Sequence, residues 1–417
     1  MILKILEKIK LDKVWTISFF DQCFVSLFNF IINIYLVKIL GLENYGIYIL
    51  IWSSSQFLIL ILSSFIIAPS QTFVPKFSNI KNRNNYIGHI NLLFLILIIL
   101  FSFIILLILN LILNFENFKN LNINYLFFYI ITFIIFDILR KFFFIIEKNK
   151  FILFIDLLFF LTLFFIFKFS YKSEVVLEEV LKYFTFSFLI SIFLFIIYYP
   201  YKILRFKKFF EIIKKVWLFS KWLFYGLIFN WFNGNYIFYL TSFALGSKEV
   251  GAIRAAQNII GITHIFFQLI ENILPIKLSN YLKNKNKKFF LNYLFKFSFY
   301  MNIWILLIGI IIFIFAEDII LLIYKNLDEN IKLCLLMFLP VYLAISMNTI
   351  LRAALKSLEK TKAIFRANFY SAIIIFLISY FFVSTFKIYG SMFSLILVNM
   401  IIMLSLIISY NKVKKFE

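Results

Sequence analysis

Apolar residues run along this chain in long blocks separated by short polar breaks. That rhythm predicts twelve spanning helices, each close to the roughly 20 residues that a bilayer core requires. The first six are read near 16–38, 45–68, 88–112, 122–144, 151–168 and 182–199. The second six are read near 222–244, 250–274, 291–316, 331–352, 361–383 and 388–409. The expected fold is all-α: a polytopic membrane protein of about twelve transmembrane helices in two pseudo-symmetric six-helix bundles around a central cavity. Residues 1–200 would form the first half, 201–221 a basic cytoplasmic linker, and 222–417 the second half.

The division into halves rests on landmarks that the chain repeats. Leu40-Gly41-Leu42-Glu43-Asn44-Tyr45-Gly46 returns 205 residues later as Leu245-Gly246-Ser247-Lys248-Glu249-Val250-Gly251. Each copy lies between two apolar blocks and reads as a tight outer turn, where glycine takes positive φ without a steric penalty. Ile138-Leu139-Arg140 followed by Glu147-Lys148 is matched by Ile350-Leu351-Arg352 followed by Glu359-Lys360. Pro75 and Pro275 end the second and eighth spans at corresponding places. Landmarks in one order, offset by 200 to 212 residues, predict a duplication of six spans, an arrangement typical of secondary transporters with the path between the halves.

Charge then fixes an orientation. The net charge is +22, which in a soluble chain would suggest nucleic acid, but here the cations sit between spans. With the N-terminus inside, the inner segments hold 31 of the 42 Lys and Arg, and this bias places both termini in the cytoplasm. Met1 to Lys13 sets Ile2, Ile5, Leu6 and Ile9 on one face, as an interfacial helix would, and no cleavage site follows. Tyr201 to Lys221 is the longest basic stretch and suits anionic lipid headgroups.

Composition narrows the chemistry. Sixty-three per cent hydrophobic residues and a mean hydropathy of +0.97 exclude an ordinary soluble domain. No phosphate-binding loop, HExxH or GxSxG motif occurs, so nothing points to ATP hydrolysis, a metalloprotease or a serine hydrolase. Cys23 and Cys334 lie far apart within apolar blocks, which argues against a disulfide or a zinc site. A membrane glycosyltransferase or polysaccharide polymerase is the enzymatic alternative, but the outer loops are short and the first offers only Glu43.

What remains are polar groups inside the bilayer, where a charge costs roughly 2.5–3.5 kcal/mol on insertion scales. Arg254, Asn258, Gly261, His264, Gln268 and Glu271 follow steps of three or four and share one face of the eighth span. That stripe suits a polar path, and interhelical hydrogen bonding that holds the bundle together is the competing role. Asn29 and Asn33 of the first span, and Asn230 and Asn233 of the seventh, are further cavity candidates. Asp21, Asp156 and Glu271 are ion-coupling candidates; Asp21 has a packing role as its alternative. Arg140 and Arg352, near inner span ends, are either topological anchors or phosphate ligands at the entrance. Asp137, three residues before Arg140, is expected to form a local helix pair with it. No metal site and no cofactor is expected.

These features resemble the polysaccharide biosynthesis (Wzx-type) O-antigen flippases of the multidrug/oligosaccharidyl-lipid/polysaccharide exporter superfamily. The resemblance spans the chain and rests on the paired glycine turns, on Arg140…Glu147-Lys148 with Arg352…Glu359-Lys360, and on Ala252-Ile253-Arg254-Ala255-Ala256-Gln257. It implies a non-enzymatic flippase in the bacterial inner membrane, working by alternating access. The substrate would be a polyprenyl-diphosphate-linked oligosaccharide, moved from the cytoplasmic to the outer leaflet. The implied partners are that lipid-linked oligosaccharide, membrane lipids, and the polymerase and chain-length proteins of a glycan assembly system, with no nucleic acid. An ion-coupled multidrug exporter of the same superfamily is the transport alternative.

Overall fold

A computed structural model describes residues 13–74, 79–112, 122–146, 148–169, 176–198, 209–263, 287–325, 328–358 and 360–416, with Phe267, Ile270, Leu274 and Leu278. The described residues are almost wholly helical. The elements are α1 (Lys13–Phe65), α2 (Ile67–Phe73), α3 (Ile80–Ile112), α4 (Ile123–Ile145), α5 (Asn149–Phe169) and α6 (Leu177–Ile197), followed by α7 (Phe209–Ala244), α8 (Ser247–Ile260), α9 (Lys287–Tyr324), α10 (Glu329–Ser357) and α11 (Thr361–Phe416).

α1 and α11 each contain two spans. α1 folds back at Gly41, with φ 69° and ψ 173°, and α11 at Lys387, with φ 51° and ψ −129°. Gly246, at φ 113°, makes the corresponding turn between α7 and α8. Counting across these turns, the described residues hold eleven of the twelve expected spans, and the eighth is described as an α-helix from Ser247 to Ile260. The turn at Lys387 differs in resting on a lysine held at positive φ, an unfavourable conformation for a residue with a Cβ. Gly390 lies beside it, and a Cβ there would stand 1.9 Å from the Phe382 carbonyl oxygen, so the chain closes tightly enough to need glycine.

The helices pack into two compact units. The first comprises residues 1–29 and 51–228, and the second residues 30–50 and 229–417. The units do not divide at helix ends: α1 contributes residues 30–50 to the second unit and the rest to the first, and α7 contributes residues 209–228 to the first and 229–244 to the second.

In the first unit the abundant phenylalanines do structural work. Phe136, Phe159 and Phe188 join α4, α5 and α6 through ring contacts with centroids 4.9–5.2 Å apart. Such offset and tilted pairs contribute about 0.5–1.5 kcal/mol each beyond area burial. Asn122 caps α4 by accepting from the Asn124 amide, and its own amide donates to Glu178 Oε1 of α6 at 2.7 Å. In the second unit, α10 packs against α9 through a close approach at Gly309, where a Cβ would meet the Leu339 side chain. Large apolar side chains such as Ile99, Phe103, Phe313, Leu322 and Leu377 stand exposed. That is the surface expected of helices facing lipid, which is as apolar as they are.

Candidate functional site

Three arginine-centred clusters stand inside the helices. The first belongs to the first unit. Its hairpin of α4 and α5 places Arg140 and Asp156 16 residues apart in sequence and side by side in space. Arg140 Nε donates to Asp156 Oδ2 at 2.7 Å, and Arg140 NH2 donates to Asp21 Oδ2 of α1 at 2.7 Å. Asp21 and Asp156 are buried, and the guanidinium lies over the Phe144 ring. Two carboxylates on one guanidinium leave the triad with one excess negative charge. The second Asp21 oxygen, Oδ1, is buried with no hydrogen-bond partner among the described residues. Asp137 does not pair with Arg140 as its spacing suggested. Its carboxylate meets Lys141 at 2.5 Å instead, because one further residue brings the lysine onto its face while Arg140 turns toward α5.

The second cluster occupies the matching place in the second unit. Arg352 of α10 donates through NH2 to Asn368 Oδ1 of α11 at 2.9 Å, again across 16 residues. Its NH1 donates to Asn230 Oδ1 of α7 at 3.3 Å. Asn368 is in turn fixed by Asn233, whose Nδ2 donates to the Asn368 carbonyl at 2.9 Å. Both arginines thus bridge the opening helix of a repeat and its fifth span. In the first unit the acceptors are carboxylates; in the second they are neutral amides.

The third cluster lies along α8, also in the second unit. Arg254 NH1 donates to Gln257 Oε1 at 2.5 Å, and the guanidinium stands 5.2 Å from the Phe238 ring centroid. One helical turn on, Asn258 Nδ2 donates to the Tyr45 hydroxyl at 2.7 Å, and that hydroxyl donates to Asn33 Oδ1 at 3.0 Å. The Tyr324 hydroxyl donates to the Ala255 carbonyl at 2.9 Å. Arg254 and Asn258 are partly exposed, whereas Tyr45 is fully buried. The cluster offers a cation, three amides and aromatic faces, the set that binds phosphate oxygens and sugar hydroxyls through charge-assisted and neutral hydrogen bonds.

Of the residues singled out in sequence, the structure joins Asp21, Arg140 and Asp156 in one site and Arg352, Asn230 and Asn233 in another. Arg254, Asn258 and Asn33 form the third. Asn29 is exposed on α1. His264, Gln268 and Glu271 lie outside the described residues, as do residues 1–12, Pro75, Glu147, residues 199–208, Pro275 and Glu359. Sequence reasoning missed Asn368 and Tyr45. Asn368 was recoverable, since it stands 212 residues after Asp156, the same offset that separates Arg140 from Arg352. Tyr45 carried no mark beyond its place inside the repeated turn.

A family model described as MatE matches residues 223–381. No curated protein matches the chain significantly. Among solved structures, the chain is similar to an inward-facing multidrug resistance MATE family transporter of the MOP superfamily, at 13% identity and a TM-score of 0.68, covering 92% of each chain. It is also similar to the lipid II flippase MurJ in an inward closed conformation, at 15% identity and a TM-score of 0.71, covering 95% of this chain and 87% of that one. A MOP superfamily transporter from Pyrococcus furiosus matches at 13% identity and a TM-score of 0.59, over 94% of this chain and 91% of that one. These likenesses show the fold: two pseudo-symmetric sets of six spans.

Proposed function

We propose that the chain is a flippase that carries a polyprenyl-diphosphate-linked oligosaccharide from the cytoplasmic to the outer leaflet of a bacterial inner membrane by alternating access. The observation that carries this reading is the chemistry of the second unit. Arg254 and Arg352 are each held by amide oxygens, Gln257 for the first and Asn230 and Asn368 for the second. Amide oxygens orient a guanidinium through neutral hydrogen bonds, and a guanidinium so oriented suits a diphosphate. In this reading Arg352 receives the phosphate at the inner entrance, and Arg254 with Asn258 and Asn33 binds the headgroup in the cavity. Asn29, Asn230, His264, Gln268 and Glu271 extend the same polar surface. Arg140, already engaged by Asp21 and Asp156, takes no phosphate. No enzymatic step and no cofactor is involved.

The membrane potential assists the direction. Moving two negative charges outward across an inside-negative membrane is favoured by about 5 kcal/mol per 100 mV. Desolvation of the headgroup is then the barrier, and a polar cavity lowers it. The Arg140 triad would couple transport to an ion: its excess negative charge and the Oδ1 of Asp21 would accept a proton or a small monovalent cation.

A multidrug exporter is the second reading, favoured by the match of the MatE family model to residues 223–381. Deletion of the gene separates the two. The flippase reading expects lipid-linked repeat units to accumulate in the inner leaflet and surface glycan to disappear. Repeat units that still reach the outer leaflet, together with lost efflux of organic cations, would overturn it.

A further inference from the structure

The two outer turns do more than reverse the chain. Gly46 and Gly251 each stand five residues after a positive-φ glycine, in the first part of the helix that follows it. A Cβ built on Gly46 would lie 1.8 Å from the Ser247 carbonyl oxygen, and one built on Gly251 would lie 2.0 Å from the Leu42 carbonyl oxygen. The contact is reciprocal: each repeat's glycine seats the other repeat's turn carbonyl, backbone against backbone. Both obstacles are main chain, so no rotamer change could make room for a methyl group. Small residues allow helices in a membrane to approach this closely. Residues 30–50 pack with the second unit for this reason.

The neighbouring side chains tie the same two hairpins. Tyr45, beside Gly46, holds Asn258 of the Arg254 cluster, and the Tyr239 hydroxyl donates to the Leu50 carbonyl at 3.2 Å. Asn33 and Tyr45 come from the first repeat; Arg254, Gln257 and Asn258 come from the second.

We infer that Gly46 and Gly251 form an outer clasp whose closure completes the Arg254 site, with Tyr45 as its positioning residue, and whose opening dismantles that site. A headgroup bound while the clasp is closed would lose Asn33 and Tyr45 as the clasp parts, so release on the outer side is built into the motion. The inference rests on the alternating-access reading for its meaning, but its test needs no natural substrate.

Glu43 and Lys248 are exposed on the two turn tips. Nitroxide labels on Glu43→Cys and Lys248→Cys, in a chain also carrying Cys23→Ala and Cys334→Ala, report tip separation by pulsed electron paramagnetic resonance in lipid nanodiscs. The wild-type glycines should give one short-distance population. Gly46→Ala and Gly251→Ala should each move a major share into a longer one, and an unchanged distribution in both overturns the clasp.

Tyr45→Phe leaves the backbone contact intact and serves if the alanine variants do not reach the membrane. It should raise the longer population and weaken binding of inorganic pyrophosphate about tenfold, the equivalent of about 1.4 kcal/mol. Tyr45→Phe with unchanged distances and unchanged pyrophosphate binding overturns the coupling. Should the parent chain fail to bind pyrophosphate, the headgroup reading falls, and the distance measurement alone decides on the clasp.

Discussion

Arg140 and Arg352 make a natural experiment within one chain. They sit at equivalent places, bridge equivalent helices, and reach a partner at the same separation of 16 residues. Yet Arg140 meets Asp21 and Asp156, while Arg352 meets Asn230 and Asn368. Duplication preserved the geometry, and divergence changed the charge. In the first unit the guanidinium serves the protein, since two buried carboxylates would otherwise lack a counter-charge. In the second it is oriented by the amides of Asn230 and Asn368. Position alone therefore does not fix the chemistry of an arginine in a repeated fold; the partners do.

The largest test removes the guanidinium that the first unit needs. Arg140→Ala leaves Asp21 and Asp156 buried together without compensation, and the expected loss is about 3–5 kcal/mol. Thermal melting of the purified protein in detergent, with the amount inserted in membranes, measures it. Arg140→Lys should recover only part of the loss, because a lysine cannot address two carboxylates with a rigid fork. An unchanged melting temperature in Arg140→Ala would erase the distinction between the two sites.

The matching change in the second unit should read differently. Arg352→Ala leaves neutral amides behind, for a cost of about 1–3 kcal/mol. Protein should remain in the membrane while surface glycan is lost. The sharper version installs the first unit's chemistry in the second. Asn368→Asp would give Arg352 a carboxylate at the position where Asn368 Oδ1 now stands, 2.9 Å away. Melting should hold or rise, whereas glycan output should fall about tenfold, the effect of about 1.4 kcal/mol of lost headgroup binding. Normal glycan in Asn368→Asp would show that the charge of Arg352 is not what the substrate meets.

Much of this comparison was legible in the sequence, and the reasons for the remainder are physical. Spans and turns could be read because a bilayer enforces long apolar blocks, and because Gly41 and Gly246 occupy backbone conformations that other residues avoid. The repeat could be read because arginine is scarce here. The triad could not, since Asp21 and Arg140 are 119 residues apart and nothing local to either announces the other. Aligning the halves at Arg140 and Arg352 would have set Asp156 against Asn368, a signal that the low-complexity background obscured. Tyr45 was hidden differently: among 23 tyrosines and 61 phenylalanines a single ring draws no notice until its hydroxyl is seen between two asparagines.

The smallest prediction concerns the carboxylate that sequence proximity favoured. Asp137 lies three residues from Arg140, closer in the chain than either true partner, yet it pairs with Lys141 in an ordinary i,i+4 arrangement. The two side chains are 18% and 34% exposed, so the pair is partly screened, and its loss should cost no more than about 0.5 kcal/mol. Asp137→Asn should therefore melt within a degree or two of the parent and leave surface glycan unchanged. Asp156→Asn, one helix away, should shift both, because it alters the charge that Arg140 balances. A large effect from Asp137→Asn would mean that Asp137 is a third carboxylate of the triad. The first site would then carry two excess negative charges rather than one, and it would have to take up two protons or a divalent cation.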